Sequence, residues 1–299
     1  MSKIAIISDI HANKDALELV LKDIEKRQVD KIYCLGDLVS KYFYPAEVVD
    51  SIKENCEIVI KGNCDDLVAN NENYKFARSK LGLDRIEYLD NLPVKEQLMI
   101  NKVLLNLYHA NPKDLDTMFN PLFNKHEKTR YKDQYIKSQD YDKMFEDDKK
   151  QTTIVGHTHM NYMGIEKDNK LVVDNNLNII TPNDRAIINT GSVAEHIDLV
   201  ENQDGTIDHR IVPYVTYLIL DDSNLKEGIK VEMVTIDSKS TLIKVFMDST
   251  SKQISNEFPF SPLYTKRMKD SIDSFDSNVM DTKLVEEKYQ EFENFRKGR

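Results

Sequence analysis

The run Ile4-Ala5-Ile6-Ile7-Ser8-Asp9-Ile10-His11 decides the architecture, because four β-branched or small apolar residues lead directly into a carboxylate and an imidazole. Ala16, Leu17, Val20, Leu21 and Ile24 then recur at helical spacing, so the first strand feeds a helix. Ile32-Tyr33-Cys34-Leu35 is a second strand and ends in Gly36-Asp37. Pro45 opens a second helix carrying Val48, Val49 and Ile52, and Ile58-Val59-Ile60 is a third strand ending in Gly62-Asn63. Strands alternating with helices mean parallel βαβ units with right-handed crossovers.

Further along, Asp65 to Asn91 is polar with helical spacing and stops at Leu92-Pro93, and Val103 to Tyr108 is another strand. Residues 111–150, crowded with Lys, Asp, Tyr and Phe, are expected to form surface helices ahead of the strand Thr152 to Val155. Short strands are expected at 171–174 and 186–189, and Tyr214 to Leu220 with Ile229 to Ile236 predicts an antiparallel hairpin. The fold class is α/β (α+β), a two-sheet β-sandwich flanked by helices. Past residue 240 the strand signal fades and Asp281 to Arg299 predicts a terminal helix, which divides the chain into 1–240 and a mainly helical extension, 241–299.

The balance of 41 basic against 51 acidic residues leaves a charge of −10, which opposes nonspecific attraction to nucleic acid or an anionic membrane. No segment approaches the ~18 apolar residues of a membrane span. Three cysteines without CxxC spacing indicate neither a disulfide framework nor a zinc ribbon, so a reduced, cytoplasmic protein is expected. Nine glycines in 299 residues are few against the usual ~7%, so each one is informative.

Polar residues concentrate at the strand ends. Asp9-Ile10-His11, Gly36-Asp37, Gly62-Asn63-Cys64, His109 and Gly156-His157-Thr158-His159 follow five successive strands. Ligands of open α/β sheets bind where these loops converge. Taken singly, each dipeptide is an ordinary turn or cap; together they deliver seven oxygen and imidazole donors suited to Mn, Fe, Co, Ni or Zn. Seven are too many for one four-coordinate zinc and suit two metals sharing a carboxylate. Asp9 and His11, at i and i+2, can reach one ion, and His157 and His159 can divide between the two.

This set resembles the calcineurin-like metallophosphoesterase superfamily, and its short spacings resemble the small bacterial and archaeal phosphodiesterase branch. The resemblance spans residues 1–240. It implies Asp9, His11, Asp37 and His159 on one metal and Asp37, Asn63, His109 and His157 on the other, with Asp37 as the bridge. It implies two divalent ions, Mn or Fe first and Ni, Co or Zn as alternatives. Two dications lower the pKa of a shared water, so a hydroxide attacks phosphorus in line. Asp37, Asn63, Cys64 and His109 are the expected catalytic residues, and Asn13, Lys41, Tyr42 and Asn63 the expected substrate contacts.

The chain departs from the family pattern in several places. Cys64 stands where many relatives have His; a thiol is a weak donor and a poor general acid, and a space-filling role is the alternative. Lys41-Tyr42-Phe43-Tyr44 replaces a glycine-containing loop, so at least one aromatic is expected at the mouth, stacking on a nucleobase or aryl group, with packing against the next helix as the alternative. Asn189-Thr190-Gly191-Ser192 resembles the family's Asn-Pro-Gly-Ser, and Glu195 and His196 are expected to change the charge near substrate. Ala12, Ser40, Ala110 and Ala194 stand where glycine is common, which implies stiffer loops. His126 and His209 lack motif support and are expected at the surface.

The function expected is hydrolysis of phosphodiester or nucleotide pyrophosphate bonds, such as those of dinucleoside polyphosphates. The partner is then a nucleotide-like phosphate ester, with no membrane and no nucleic acid, and homo-oligomerisation stays open. The alternatives are a phosphomonoesterase, including a protein Ser/Thr phosphatase, and a non-catalytic protein-binding scaffold.

Overall fold

The computed structural model describes residues 2–121, 135–201, 207–223, 225–254, 262–273 and 282–297. Its opening is the expected one. β1 (Lys3–Ile7), α1 (Lys14–Lys26), β2 (Lys31–Cys34), α2 (Pro45–Asn55) and β3 (Ile58–Val59) follow in order, and β1, β2 and β3 pair in parallel. Asn13 caps α1, its side-chain oxygen accepting from the Ala16 N–H at 3.2 Å. Pro45 begins α2, where its missing N–H leaves no bond unmade.

The chain continues through α3 (Asn63–Asn70), α4 (Lys75–Asp90), β4 (Lys95–Ile100), β5 (Val103–Tyr108), β6 (Met118–Phe119), β7 (Tyr135–Ile136) and a 3-10 helix over Ser138–Met144. Next come β8 (Thr152–Val155), β9 (Asn161–Lys167), β10 (Lys170–Val173), β11 (Ile179–Ile180), β12 (Ala186–Thr190), β13 (His196–Glu201) and β14 (Ile207–Val212). The hairpin β15 (Tyr214–Asp221) and β16 (Ile229–Asp237) precedes three helices, α5 (Lys239–Ile254), α6 (Pro262–Asp273) and α7 (Thr282–Lys297).

Two six-stranded sheets result, ordered β11-β16-β15-β1-β2-β3 and β10-β9-β12-β8-β5-β4. Strand alternation sorts the side chains. Ile4 and Ile6 join Leu105, Leu107, Ile154 and Ile188 between the sheets, while Ala5 and Ile7 face α1 and α2 on the outside with Leu17, Val20, Val48 and Ile52.

On the outer face of the second sheet, Tyr108, Val155, Tyr162 and Ile187 pack against Phe119, Tyr141, Met144 and Phe145. This corrects the expectation of surface helices over 111–150: among the described residues this region holds β6, β7 and the 3-10 helix. Its aromatic residues are needed to cover a sheet face, and Arg185, reaching Asp142 at 2.6 Å, Glu166 at 2.8 Å and the Phe145 ring at 4.0 Å, ties the segment down.

The C-terminal helices are not remote from the strand ends. Leu242, Val245, Phe246, Met268, Ile272 and Val285 form one cluster with Ala12, Tyr42 and Ala194, all three in loops that follow strands β1, β2 and β12. Among the described residues no helix is long and apolar enough to cross a membrane.

Candidate metal centre

The seven expected ligands converge. Hydrogen bonds between loops hold the β1 and β2 strand ends side by side: Asp9 N donates to Gly36 O at 3.0 Å, and the N–H groups of Ile10 and His11 to Asp37 O at 2.9 and 2.8 Å. From the other sheet, the N–H of His157 reaches Asp9 Oδ2 at 2.9 Å. Five of the seven, Asp9, His11, Asp37, His157 and His159, have φ between 49° and 66°, in the left-handed region that non-glycine residues seldom adopt. Ala12 and Ser40, at positions where the family often has glycine, share it at 62° and 79°. The local cost is borne by the packed sheets, as at sites where side-chain direction matters more than local stability.

Two clusters of donor atoms meet at Asp37. In one, His11 Nε2 lies 2.9 Å from His159 Nε2, 3.8 Å from Asp9 Oδ1 and 3.6 Å from Asp37 Oδ2, with His159 Nε2 3.4 Å from Asp9 Oδ1. In the other, His109 Nε2 lies 3.0 Å from Asn63 Oδ1, 3.2 Å from His157 Nδ1 and 3.4 Å from Asp37 Oδ1. Asp37 thus turns one oxygen to each cluster.

The remaining ring nitrogens point outward onto backbone carbonyls. His109 Nδ1 donates to Leu35 O at 2.8 Å, His159 Nδ1 to Glu195 O at 3.0 Å, His157 Nε2 to Asp116 O at 2.9 Å and His11 Nδ1 to Val39 O at 3.4 Å. In the neutral ring each bond takes the outward N–H and leaves the lone pair on the inward nitrogen, as metal-ligating histidines require. Asp9 Oδ1 is buried and has no hydrogen-bond partner. An ionised oxygen in that condition is costly unless a cation satisfies it. Donor chemistry, tautomers and the unsatisfied oxygen together fit divalent metal.

The electrostatics agree. Burial alone would raise Asp9 and Asp37, but the imidazoles beside them, His159 at Asp9 and His109 at Asp37, hold both carboxyls below the ordinary carboxylate range. Burial lowers His11 well below its usual value, helped by the Lys41 charge, and lowers His157 to about 4, helped by His109. Both are therefore neutral and able to donate a lone pair. His109 goes the other way: against the effect of burial, Asp37 raises it to about 9, so the Asp37 corner attracts positive charge.

Other expected residues divide. Cys64 lies beside the cluster, its N–H donating to Asp37 Oδ1 at 2.8 Å, and its sulfur, Asp37 and His11 have ligand atoms within 4.8 Å of one another. Burial and the Asp37 charge push the thiol well above its usual value, so it stays protonated at neutral pH. Lys41 is at the site, with Nζ 3.2 Å from His159 Nε2 and 3.3 Å from Glu195 Oε1. Asn13 and Tyr42 are corrections. The Asn13 side chain is buried, with its oxygen capping α1 and its amide bonded to Ala194 O at 3.1 Å, so neither end is left for substrate. Tyr42 is 2% exposed beneath the C-terminal helices and donates its hydroxyl to Glu195 Oε2 at 2.8 Å. Of the three aromatics, Phe43 is also buried and Tyr44 is half-buried at the surface.

Two supporting residues are absent from the expected set. The Asp65 carboxylate accepts from the backbone N–H groups of Asp37, Leu38, Val39 and Gly62 at 2.8, 2.8, 3.3 and 2.9 Å, and so shapes the loop that presents Asp37. Its signal was its place at the third position of α3, where a carboxylate can turn back on the helix start. Glu195, expected only to alter local charge, is buried and holds Lys41, Tyr42 and His159 together. His196 lies against Tyr214, with ring centroids 4.8 Å apart and planes tilted by 32°, and 3.5 Å from Asp198. His126 and the side chain of His209 lie outside the described residues.

Known proteins are similar to this chain. A protein of Methanocaldococcus jannaschii, itself uncharacterised, is 29% identical over 258 residues, 82% of this chain and 92% of its own. A metallophosphoesterase from Sphaerobacter thermophilus superposes with a TM-score of 0.57 at 20% identity, covering 89% of this chain and 98% of that one. A hypothetical protein from Pyrococcus horikoshii OT3 does so at 0.55 and 17%, covering 91% and 97%. At these identities the two structures establish a common fold. Residues 2–181 match the family model for calcineurin-like phosphoesterases, more than half of the chain, and the protein belongs to that family of hydrolases.

Proposed function

We propose that the chain is a two-metal phosphoesterase that hydrolyses phosphodiester or nucleotide pyrophosphate bonds, including those of dinucleoside polyphosphates. The observation that carries this is Asp37, set between two clusters of imidazole, amide and carboxylate donors with one oxygen toward each. Asp9, His11, Asp37 and His159 would hold one ion and Asp37, Asn63, His109 and His157 the other, Mn or Fe before Ni, Co or Zn. Two such ions supply a nucleophile from water at neutral pH and positive charge for the phosphoryl oxygens.

The chain's own groups do the positioning. Carbonyls of Leu35, Val39, Asp116 and Glu195 keep the imidazoles aimed inward. Asn63 Oδ1 and the His109 ring face the same space, and the protonated Cys64 is the group available to meet a leaving oxygen. A thiol is a poor acid, so good leaving groups such as aryl oxides and nucleoside phosphates suit the site better than simple alkoxides.

A nucleotide-like substrate draws support from a groove of about 460 Å³ beside the Lys41 loop, lined by Phe43, Tyr44, Phe76, Lys80 and Lys252 with Ala46, Glu47 and Ser79. Its two ammonium groups, Lys252 over the Phe43 ring at 5.4 Å and Lys80 over the Phe76 ring at 5.9 Å, suit the phosphates of such a substrate. We further assign residues 1–240 as the catalytic unit and 241–299 as a helical extension packed on its loops. The free thiols of Cys34, Cys56 and Cys64 suit a reducing, cytoplasmic setting.

The test is turnover of bis(4-nitrophenyl) phosphate, 4-nitrophenyl phosphate and diadenosine tetraphosphate with added Mn²⁺. Diester and dinucleotide cleavage ahead of the monoester is expected. Faster monoester cleavage would overturn the substrate assignment in favour of a phosphomonoesterase, and no hydrolysis with no metal uptake would overturn the whole proposal.

A further inference from the structure

The Lys41 ammonium stands between two acceptors that belong to different parts of the site. Its Nζ is 3.2 Å from His159 Nε2 and 3.3 Å from Glu195 Oε1. His159 Nε2 also faces His11 Nε2 at 2.9 Å and Asp9 Oδ1 at 3.4 Å, so it is an inward donor of the first cluster. An imidazole nitrogen of this kind has one lone pair, and it cannot serve an ammonium N–H and a metal at once.

Glu195 is fixed in place. Its side chain is 1% exposed, Oε2 accepts from Tyr42, its N–H donates to Ser192 Oγ at 3.1 Å, and its carbonyl receives His159 Nδ1. Tyr42 in turn is packed under Phe246, Met268 and Val285. The carboxylate cannot follow a moving lysine, whereas Lys41, a third exposed on a flexible stem, can pivot about it.

We propose that Lys41 is a resident cation shared between metal and substrate: it yields the His159 lone pair when a divalent ion binds, stays anchored on Glu195, and turns the released N–H toward a phosphoryl oxygen. This rests on the phosphoesterase assignment above and deepens it. An ammonium has three N–H groups, so release from His159 leaves at least one for an anion while Glu195 keeps another.

Two effects of opposite sign follow. A fixed positive charge in an enclosed corner opposes a dication, so its removal tightens metal binding. The same removal takes a donor and a charge away from the substrate, so phosphate binds the metal-loaded protein more weakly. Damage to the site would weaken both, and the signs therefore separate a shared cation from a merely structural lysine.

The experiment is Mn²⁺ titration of chelator-stripped protein by electron paramagnetic resonance, then titration of the Mn²⁺-loaded protein with inorganic phosphate, for wild type, Lys41→Met and Glu195→Gln. Lys41→Met should bind Mn²⁺ about tenfold tighter and phosphate about tenfold weaker. Glu195→Gln should bind Mn²⁺ more weakly, because Lys41 loses its counter-charge and keeps its hold on His159. Mn²⁺ affinity in Lys41→Met that is unchanged or reduced, or phosphate affinity that is unchanged, overturns the role of Lys41 alone. Absence of Mn²⁺ binding by the wild type overturns the two-metal proposal and this inference with it.

Discussion

Replacing Gly156 by Ala adds one methyl group at the point where the two sheets meet the candidate metal centre. No positive φ is required there, so alanine is allowed by the backbone and the effect is steric. The new Cβ would stand 2.6 Å from Asp9 Oδ2 and 2.7 Å from Ser8 Cβ, with Ser8 Oγ closer still. Ordinary contact begins near 3.4 Å, so the β1 strand end must retreat by about 0.8 Å. Overpacking of this kind costs about 1–3 kcal/mol. The bond from His157 N to the Asp9 carboxylate, 2.9 Å long, is charge-assisted and its loss adds about 1.5–3 kcal/mol. Reduced freedom of the unfolded chain returns about 0.4–1 kcal/mol. The net expectation is a loss of about 1.5–5.5 kcal/mol in urea unfolding of the metal-free protein. Metal sites tolerate ligand displacements of about 0.2 Å, so Mn²⁺ affinity should fall at least about tenfold in the same variant. Unfolding free energy within about 0.5 kcal/mol of wild type, together with Mn²⁺ affinity within a factor of about two, would refute the claim that Gly156 makes room for Asp9.

Asp37→Asn leaves one uncharged oxygen where a carboxylate pair faces His109 at 3.4 Å and His11 at 3.6 Å; bound Mn²⁺ should drop by at least one ion per chain and kcat by about 10³ or more, and full metal content measured by elemental analysis would contradict the bridging role. The pH dependence of stability should show Asp23. Burial alone would raise its pKa, but hydrogen bonds from Tyr217 at 2.8 Å and Arg27 at 2.8 Å hold it below 3.8. A depressed folded-state value means stability present above the unfolded pKa and lost as pH falls through the folded one. Tyr217→Phe should therefore cost about 1 kcal/mol at pH 7 and progressively less toward pH 3 in denaturant melts, and a cost independent of pH would count against the coupling.

Much of this protein is legible before any coordinates. The unbroken apolar run Ile4 to Ile7 reads as a strand, and in the fold one of its faces lies between the sheets and the other under α1 and α2. Each ligand directly follows an apolar strand, so strand order brings them together. Strands β4 and β9 were not legible: Lys95–Ile100 is an edge strand with three of its six residues exposed, and Asn161–Lys167 leaves the site loop without a turn residue to mark its start. The segment 111–150 misled because its charge density resembles a helix surface, while its aromatics serve as a lid on the second sheet.

Sequence alone named the candidate donors, their order and their chemistry, since Asp, His and Asn after strands depend on local pattern and on which side chains carry lone pairs. Tertiary structure decided what surrounds those donors. That Tyr42 lies beneath helices more than 200 residues downstream, that Glu195 anchors Lys41, and that Asp65 gathers four backbone N–H groups depend on loops from distant strands meeting at one sheet edge. A side chain's type sets what it can bind; whether it meets substrate or is consumed by a neighbour is settled by packing, which no local pattern records.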